Sequence, residues 1–85
     1  MKRYASHYLL TPEGTALKQQ VVVVDGQAVG YFALTEEVED VEWRPGVIAL
    51  EPDSGRDGQL TPYWYYPYDL TAMRPVAATQ RRRLL

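Results

Sequence analysis

Eighty-five residues of net charge −2, 46% hydrophobic and 24% charged, fit one globular domain spanning residues 1–85. Cysteine and asparagine are absent, which excludes disulfides, a thiolate nucleophile or zinc ligand, and N-glycosylation. The mild acidity disfavours nucleic acid, no apolar run approaches the ~20 residues of a membrane helix, and Tyr4, Ser6, His7 and Tyr8 interrupt any leader, so the expectation is a cytoplasmic protein with neither nucleic-acid nor membrane partners.

Periodicity and turn residues predict strands nearly throughout. "YASHYLL" (Tyr4 to Leu10) alternates loosely and stops at "TPEG". "LKQQVVVV" (Leu17 to Val24) ends in a β-branched run too short for a helix. Asp25–Gly26 then fits a tight primed turn, because both residues tolerate positive φ. "QAVGYFAL" is its partner strand. "VEWRPGVIAL" alternates through Val41 and Trp43 before Pro45–Gly46 bends or bulges it. "EPDSGRDGQ" (Glu51 to Gln59) reads as a loop. "VAATQRRRLL" closes the chain after Pro75, as a strand or a short helix on local signals alone.

Between that loop and the closing segment lies "TPYWYYPYDL", Thr61 to Leu70. It places five aromatic residues in six positions. Alternate residues of a strand share a face. Trp64, Tyr66, Tyr68 and Leu70 are expected to face the core. Tyr63, Tyr65, Pro67 and Asp69 are expected to face outward. Pro62 and Pro67 cannot donate to a ladder, which predicts a sheet edge or an irregular position. The two outward tyrosines are either simple surface residues or a platform for a partner chain, a glycan or a stacked base. A partner chain is favoured among these, because tyrosine is enriched at protein interfaces and the acidic charge disfavours a phosphate backbone.

Catalytic chemistry is poorly supplied. His7 is the single histidine, and metal sites ordinarily need several converging ligands. Ser6 adjoins His7 and so points to the opposite face of a strand. Ser54 lies in the loop. The acids Glu36, Glu37, Glu39, Asp40 and Glu42 read as a solvated run rather than a paired catalytic set. "DGQAVG" lacks the spacing of a phosphate loop. Arg81, Arg82 and Arg83 form a basic patch that the acidic run can attract within or between chains.

The order of segments resembles a known architecture. "LKQQVVVVDGQAVGYFAL" is similar to the opening strands of amidohydrolase-superfamily enzymes, which read "V-x-V-x-D-G-x-I". Those strands belong to the composite β-sandwich of metal-dependent hydrolases. "RPGVIALEPDSG" resembles the approach to the barrel motif "PGF-I-D-x-H-x-H", with Glu51 and Asp53 near where its histidines would fall. "YDLTAMRP" and "VAATQRRRLL" resemble the two strands that return to the sandwich after the barrel. Asp69, Leu70 and Thr79 fall at matching places, and Arg82 stands where glycine is usual. The resemblance implies a composite sandwich without its catalytic barrel, and a strand for the final segment. Metal ligands and general base would lie in the missing part, so it implies no hydrolase activity.

The fold expected is all-β, a small sandwich or partly open barrel of about six or seven mostly antiparallel strands. The function expected is a non-catalytic structural or interaction module that self-associates as a homodimer. Its surface would comprise Tyr63, Tyr65, Arg81, Arg82 and Arg83. No catalytic residue, metal or cofactor is expected. The alternatives are a small peptide- or glycan-binding module using the exposed tyrosines, and an accessory subunit docking on a larger enzyme.

Overall fold

A computed structural model of the chain describes residues 1–26, 28–35, 39–52 and 59–84. Among these residues there is no helix, and none therefore long and apolar enough to cross a membrane. The strands are β1 (Lys2–Ala5), β2 (Tyr8–Leu10), β3 (Ala16–Leu17), β4 (Gln20–Asp25), β5 (Ala28–Ala33), β6 (Val41–Trp43), β7 (Val47–Pro52), β8 (Leu60–Asp69) and β9 (Arg74–Arg83). They build a four-stranded sheet in the order β5-β4-β1-β6 and a five-stranded sheet in the order β3-β2-β7-β8-β9. The two do not close into a barrel.

The sequence shows six strand-like runs, and three of them divide. Tyr4–Leu10 breaks at Ser6–His7 into β1 and β2. The run beginning at Leu17 breaks at Lys18–Gln19 into β3 and β4. Val41–Leu50 breaks at Arg44–Gly46 into β6 and β7. At all three breaks the chain passes from one sheet to the other. Two of these crossings, the first and the third, lie together at one corner. They run side by side: β1 pairs with β6 in parallel, and β2 pairs with β7 in parallel. The remaining pairings are antiparallel.

A paired crossing must keep its backbone groups satisfied while both strands bend. Arg44 N donates to Ala5 O at 2.7 Å on one side of the corner. At the bend itself a side chain replaces the ladder: Gly46 N donates to His7 Nδ1 at 3.0 Å. Ser6 is buried and turns its hydroxyl back to Tyr8 O at 2.7 Å. Gly46 sits at φ +101, where L side chains are strained, and a Cβ there would lie 2.5 Å from Tyr65 O. The indole of Trp64 donates to Pro45 O at 2.7 Å. The Arg44 guanidinium rests between the Tyr4 and Trp64 rings, 5.5 and 5.2 Å from their centroids.

The core is built from Tyr4, Leu9, Val22, Val24, Ile48 and Leu50, with Leu17, Val29, Leu60, Trp64 and Leu84 packed against it. Val21 and Val22 are both buried, which explains an unbroken valine run in place of alternation. Asp25 pairs with Ala28, and Gly26 opens the β4–β5 loop at φ +61. The turn glycine thus takes the first loop position, one place earlier in the turn than an Asp-Gly loop would put it.

Candidate interaction surface

The expected surface residues lie on the β7–β8–β9 side of the five-stranded sheet. Tyr65 is paired with Val47 on one side and Arg81 on the other; Tyr63 is paired with Ala49 and Arg83. This register puts Tyr63, Tyr65, Arg81 and Arg83 on one face. Arg82 pairs with Trp64 and falls on the opposite face, donating to Gln80 Oε1 at 3.3 Å. Four of the five expected residues are therefore brought together and the fifth is not.

Two of these groups, Tyr65 and Arg81, are locked to one another through Glu51, and Tyr63 packs against the second. Arg81 Nη2 donates to Glu51 Oε1 at 2.8 Å, and Arg81 Nε donates to the Tyr65 hydroxyl at 3.0 Å. That hydroxyl donates in turn to Glu51 Oε2. The Arg81 guanidinium lies 3.6 Å from the centroid of the Tyr63 ring. Partial burial pushes the Glu51 carboxyl up, but hydrogen bonds from Arg81 and Tyr65 and the Arg81 charge outweigh this and hold it below its ordinary value. Burial and the bond to Glu51 raise the Tyr65 phenol, against the opposing pull of Arg81. The bonds to Glu51 and Tyr65 lift Arg81 further above its ordinary value. The cluster is an ordered, charge-compensated patch at pH 7.

Glu51 is the member that sequence reasoning misses. It ends a hydrophobic strand and begins a loop-like string, so composition assigns it to the loop. Its period-two relation to Val47 and Ala49 was the available signal. The acidic run does not reach the arginines among the described residues: Glu42 pairs with Arg44 at 2.8 Å, and Arg81 takes Glu51. Glu36, Glu37, Asp53 and Ser54 lie outside the described residues.

Three expectations for the aromatic strand need correction. First, β8 is not an edge strand; it lies between β7 and β9. Pro62 is tolerated because Arg83 is the last β9 residue paired with β8, at Tyr63, and only Leu84 N reaches Pro62 O beyond it, at 3.0 Å. Pro67 sits at a register shift between Tyr66 and Tyr68, the irregular position expected of it. Second, Tyr68 does not share the face of Trp64. The shift turns it to the Tyr65 side, where the two rings meet edge-on with centroids 6.3 Å apart. Third, Tyr66 stacks on Trp64 at 5.9 Å yet is 47% exposed. Its position explains this: β7 pairs with β8 only from Leu60 to Tyr65, so Tyr66 onward pairs with β9 alone.

The hairpin beyond Tyr65 is thus a two-stranded arm. Asp69 Oδ1 accepts from Thr71 N and Ala72 N and shapes its turn. At its base, Tyr65 and Tyr68 join Leu10, Pro12, Pro52 and Pro75 around a cavity of about 350 Å³, with Glu51 in its wall. His7 is exposed at the corner. Comparison of the chain with protein-family models, with curated proteins and with solved structures finds no match.

Proposed function

We propose that this chain is a non-catalytic structural and interaction module that self-associates as a homodimer. The overhanging β8–β9 arm carries this reading. A two-stranded hairpin is marginal in water on its own, and β9 is exposed along nearly its whole length. Its ordering entropy is poorly repaid within one chain. Tyr66 and Val76, 47% and 40% exposed, present apolar surface on the arm. β9 also holds four arginines and no acid in a chain of net charge −2, which leaves −6 on the rest. Arg74 lies on the arm and Arg81, Arg82 and Arg83 at its base, so the complement of this basic β9 edge is the acidic remainder of a second copy, and a two-fold axis satisfies both edges at once. The interface centres on the arm, with Tyr63 or Tyr65 at its flank. The resemblance to a composite sandwich without its barrel supports a structural role, and the lack of cysteine suits the reducing cytoplasm.

Sedimentation at tens of micromolar is expected to give twice the monomer mass. Tyr66→Glu and Tyr65→Glu are each expected to shift it toward monomer. A clean monomer for the unmodified chain overturns the proposal. A second reading rests on the 350 Å³ cavity: a tyrosine- and proline-lined groove with an acid in its wall suits an extended peptide, free or on a larger enzyme. Binding of such a peptide by a monomer would favour it.

A further inference from the structure

The corner where the chain changes sheets borders a second, half-open cavity of about 420 Å³, within the ~300–1,000 Å³ of small-molecule sites. His7, Tyr8, Lys18, Gln19, Leu34 and Trp43 are among its walls, and no described residue lining it carries a carboxylate. Its one formally charged lining group is a cation, and the Gln19 and Gln20 amides offer both donors and acceptors. His7 Nδ1 already accepts from Gly46 N at 3.0 Å, so the neutral ring carries its proton on Nε2. The Lys18 ammonium stands 5.7 Å from the centroid of the Tyr8 ring, and no ion pair joins it to a described residue. This donor pair, with no carboxylate among the described lining residues, suits an anion.

The walls select an anion with an apolar body. Trp43 is 55% exposed on β6 and meets the His7 ring edge-on, 5.0 Å between centroids. A large aromatic left open beside a concave surface is a stacking platform. The rim is fixed. Gln19 adopts φ +55, uncommon for a side-chain-bearing residue, and its carbonyl is held by Leu34 N at 2.7 Å. Such conformations collect at ligand sites, where surrounding structure maintains them. We propose that this cavity binds a small aromatic carboxylate, its ring against Trp43 and Tyr8 and its carboxylate met by Lys18 Nζ and His7 Nε2–H. Phosphate, with three acceptor oxygens and no apolar body, would leave the aromatic walls unused.

Benzoate is the probe and benzamide its uncharged isostere, each titrated into the isotope-labelled chain and followed by amide and indole NMR shifts. Benzoate is expected to shift Tyr8, Gln19 and Trp43 saturably, with Kd on the order of 1 mM. Benzamide should bind roughly tenfold more weakly, because it forfeits the charge-assisted bonds. Lys18→Met keeps the stem over Tyr8, and should weaken benzoate roughly tenfold while leaving benzamide unchanged. Trp43→Leu should weaken both ligands. Absence of saturable shifts at those three residues overturns the proposal. So do equal affinities for the two ligands, or indifference to Lys18→Met in a variant whose spectrum shows the native fold. The shifts report binding whether the chain is monomeric or dimeric, so the outcome is independent of self-association.

Discussion

The amide of Gly46 donates to Nδ1 of His7 across 3.0 Å, and this bond joins two of the three crossings by which the chain passes between its sheets. The only histidine is therefore used first as a backbone substitute: its ring nitrogen stands where a bent ladder has no carbonyl to offer.

The two partners of that bond are expected to differ in cost. A Cβ at Gly46 would lie 2.5 Å from the Tyr65 carbonyl oxygen, at φ +101. Backbone, unlike a flexible side chain, cannot simply swing away. Gly46→Ala should destabilise by about 2–4 kcal/mol. His7→Ala removes one hydrogen bond at an exposed position and should cost about 1 kcal/mol. Urea denaturation of both variants tests the order; a costlier His7→Ala would mean that the corner depends on the ring rather than on the close approach.

The aromatic strand offers a second contrast. Trp64 packs against the core and donates to Pro45 O, whereas Tyr66 is 47% exposed on the arm. Trp64→Ala should cost about 3 kcal/mol or more. Tyr66→Ala should cost the fold less than about 1 kcal/mol. Similar denaturant midpoints for the two variants would place Tyr66 in the core after all.

What the sequence discloses is local. Alternation, the β-branched run and the turn residues of Asp25–Gly26 yield the all-β class, because each needs only a few neighbouring residues. The crossing at Ser6–His7 leaves no such trace: β1 and β2 read as one strand, since neither proline nor glycine marks their break. Arg44–Gly46 does carry its mark. The outward Tyr63–Tyr65 face with Arg81 and Arg83 was legible from period two, once the last segment was a strand. Tyr68 was not, because a one-residue shift at Pro67 reverses every later side chain. Tyr66 needed tertiary information, namely that β7 stops pairing at Tyr65. Glu51 needed it too, since its partner Arg81 is thirty residues away.

Glu51 gives a pH signature. Its carboxyl lies below its ordinary value in the folded chain, chiefly because Arg81 and Tyr65 bond to it against the effect of burial. A group depressed on folding stabilises above its unfolded pKa and loses that contribution as pH falls through the folded value. The advantage of the unmodified chain over Glu51→Gln should therefore be constant near neutrality. It should shrink below about pH 4.3, the ordinary glutamate value. Stability curves for the two proteins that stay parallel down to the acid transition would show that the triad carries no charge-dependent stabilisation.

Thr79 supports the arm at the point where Pro67 interrupts it. Proline has no N–H to give, and the register shifts between Tyr66 and Tyr68. One hydroxyl bridges the gap: Thr79 Oγ1 accepts from Val76 N at 2.8 Å and donates to Pro67 O. Thr79→Val keeps the β-branched shape and deletes both bonds. Global stability should change by less than about 1 kcal/mol, since β7 and the core are untouched. The local effect should be larger, because a two-stranded ribbon has few other bonds to hold it. Hydrogen exchange is expected to show the Val76 amide losing protection in Thr79→Val and keeping it in Thr79→Ser. If the arm forms the dimer interface, Thr79→Val should also raise the dimer dissociation constant although the hydroxyl faces Pro67 within its own chain. Unchanged protection at Val76 would mean that the bulge holds without its hydroxyl, and that the arm is stiffer than its two strands account for.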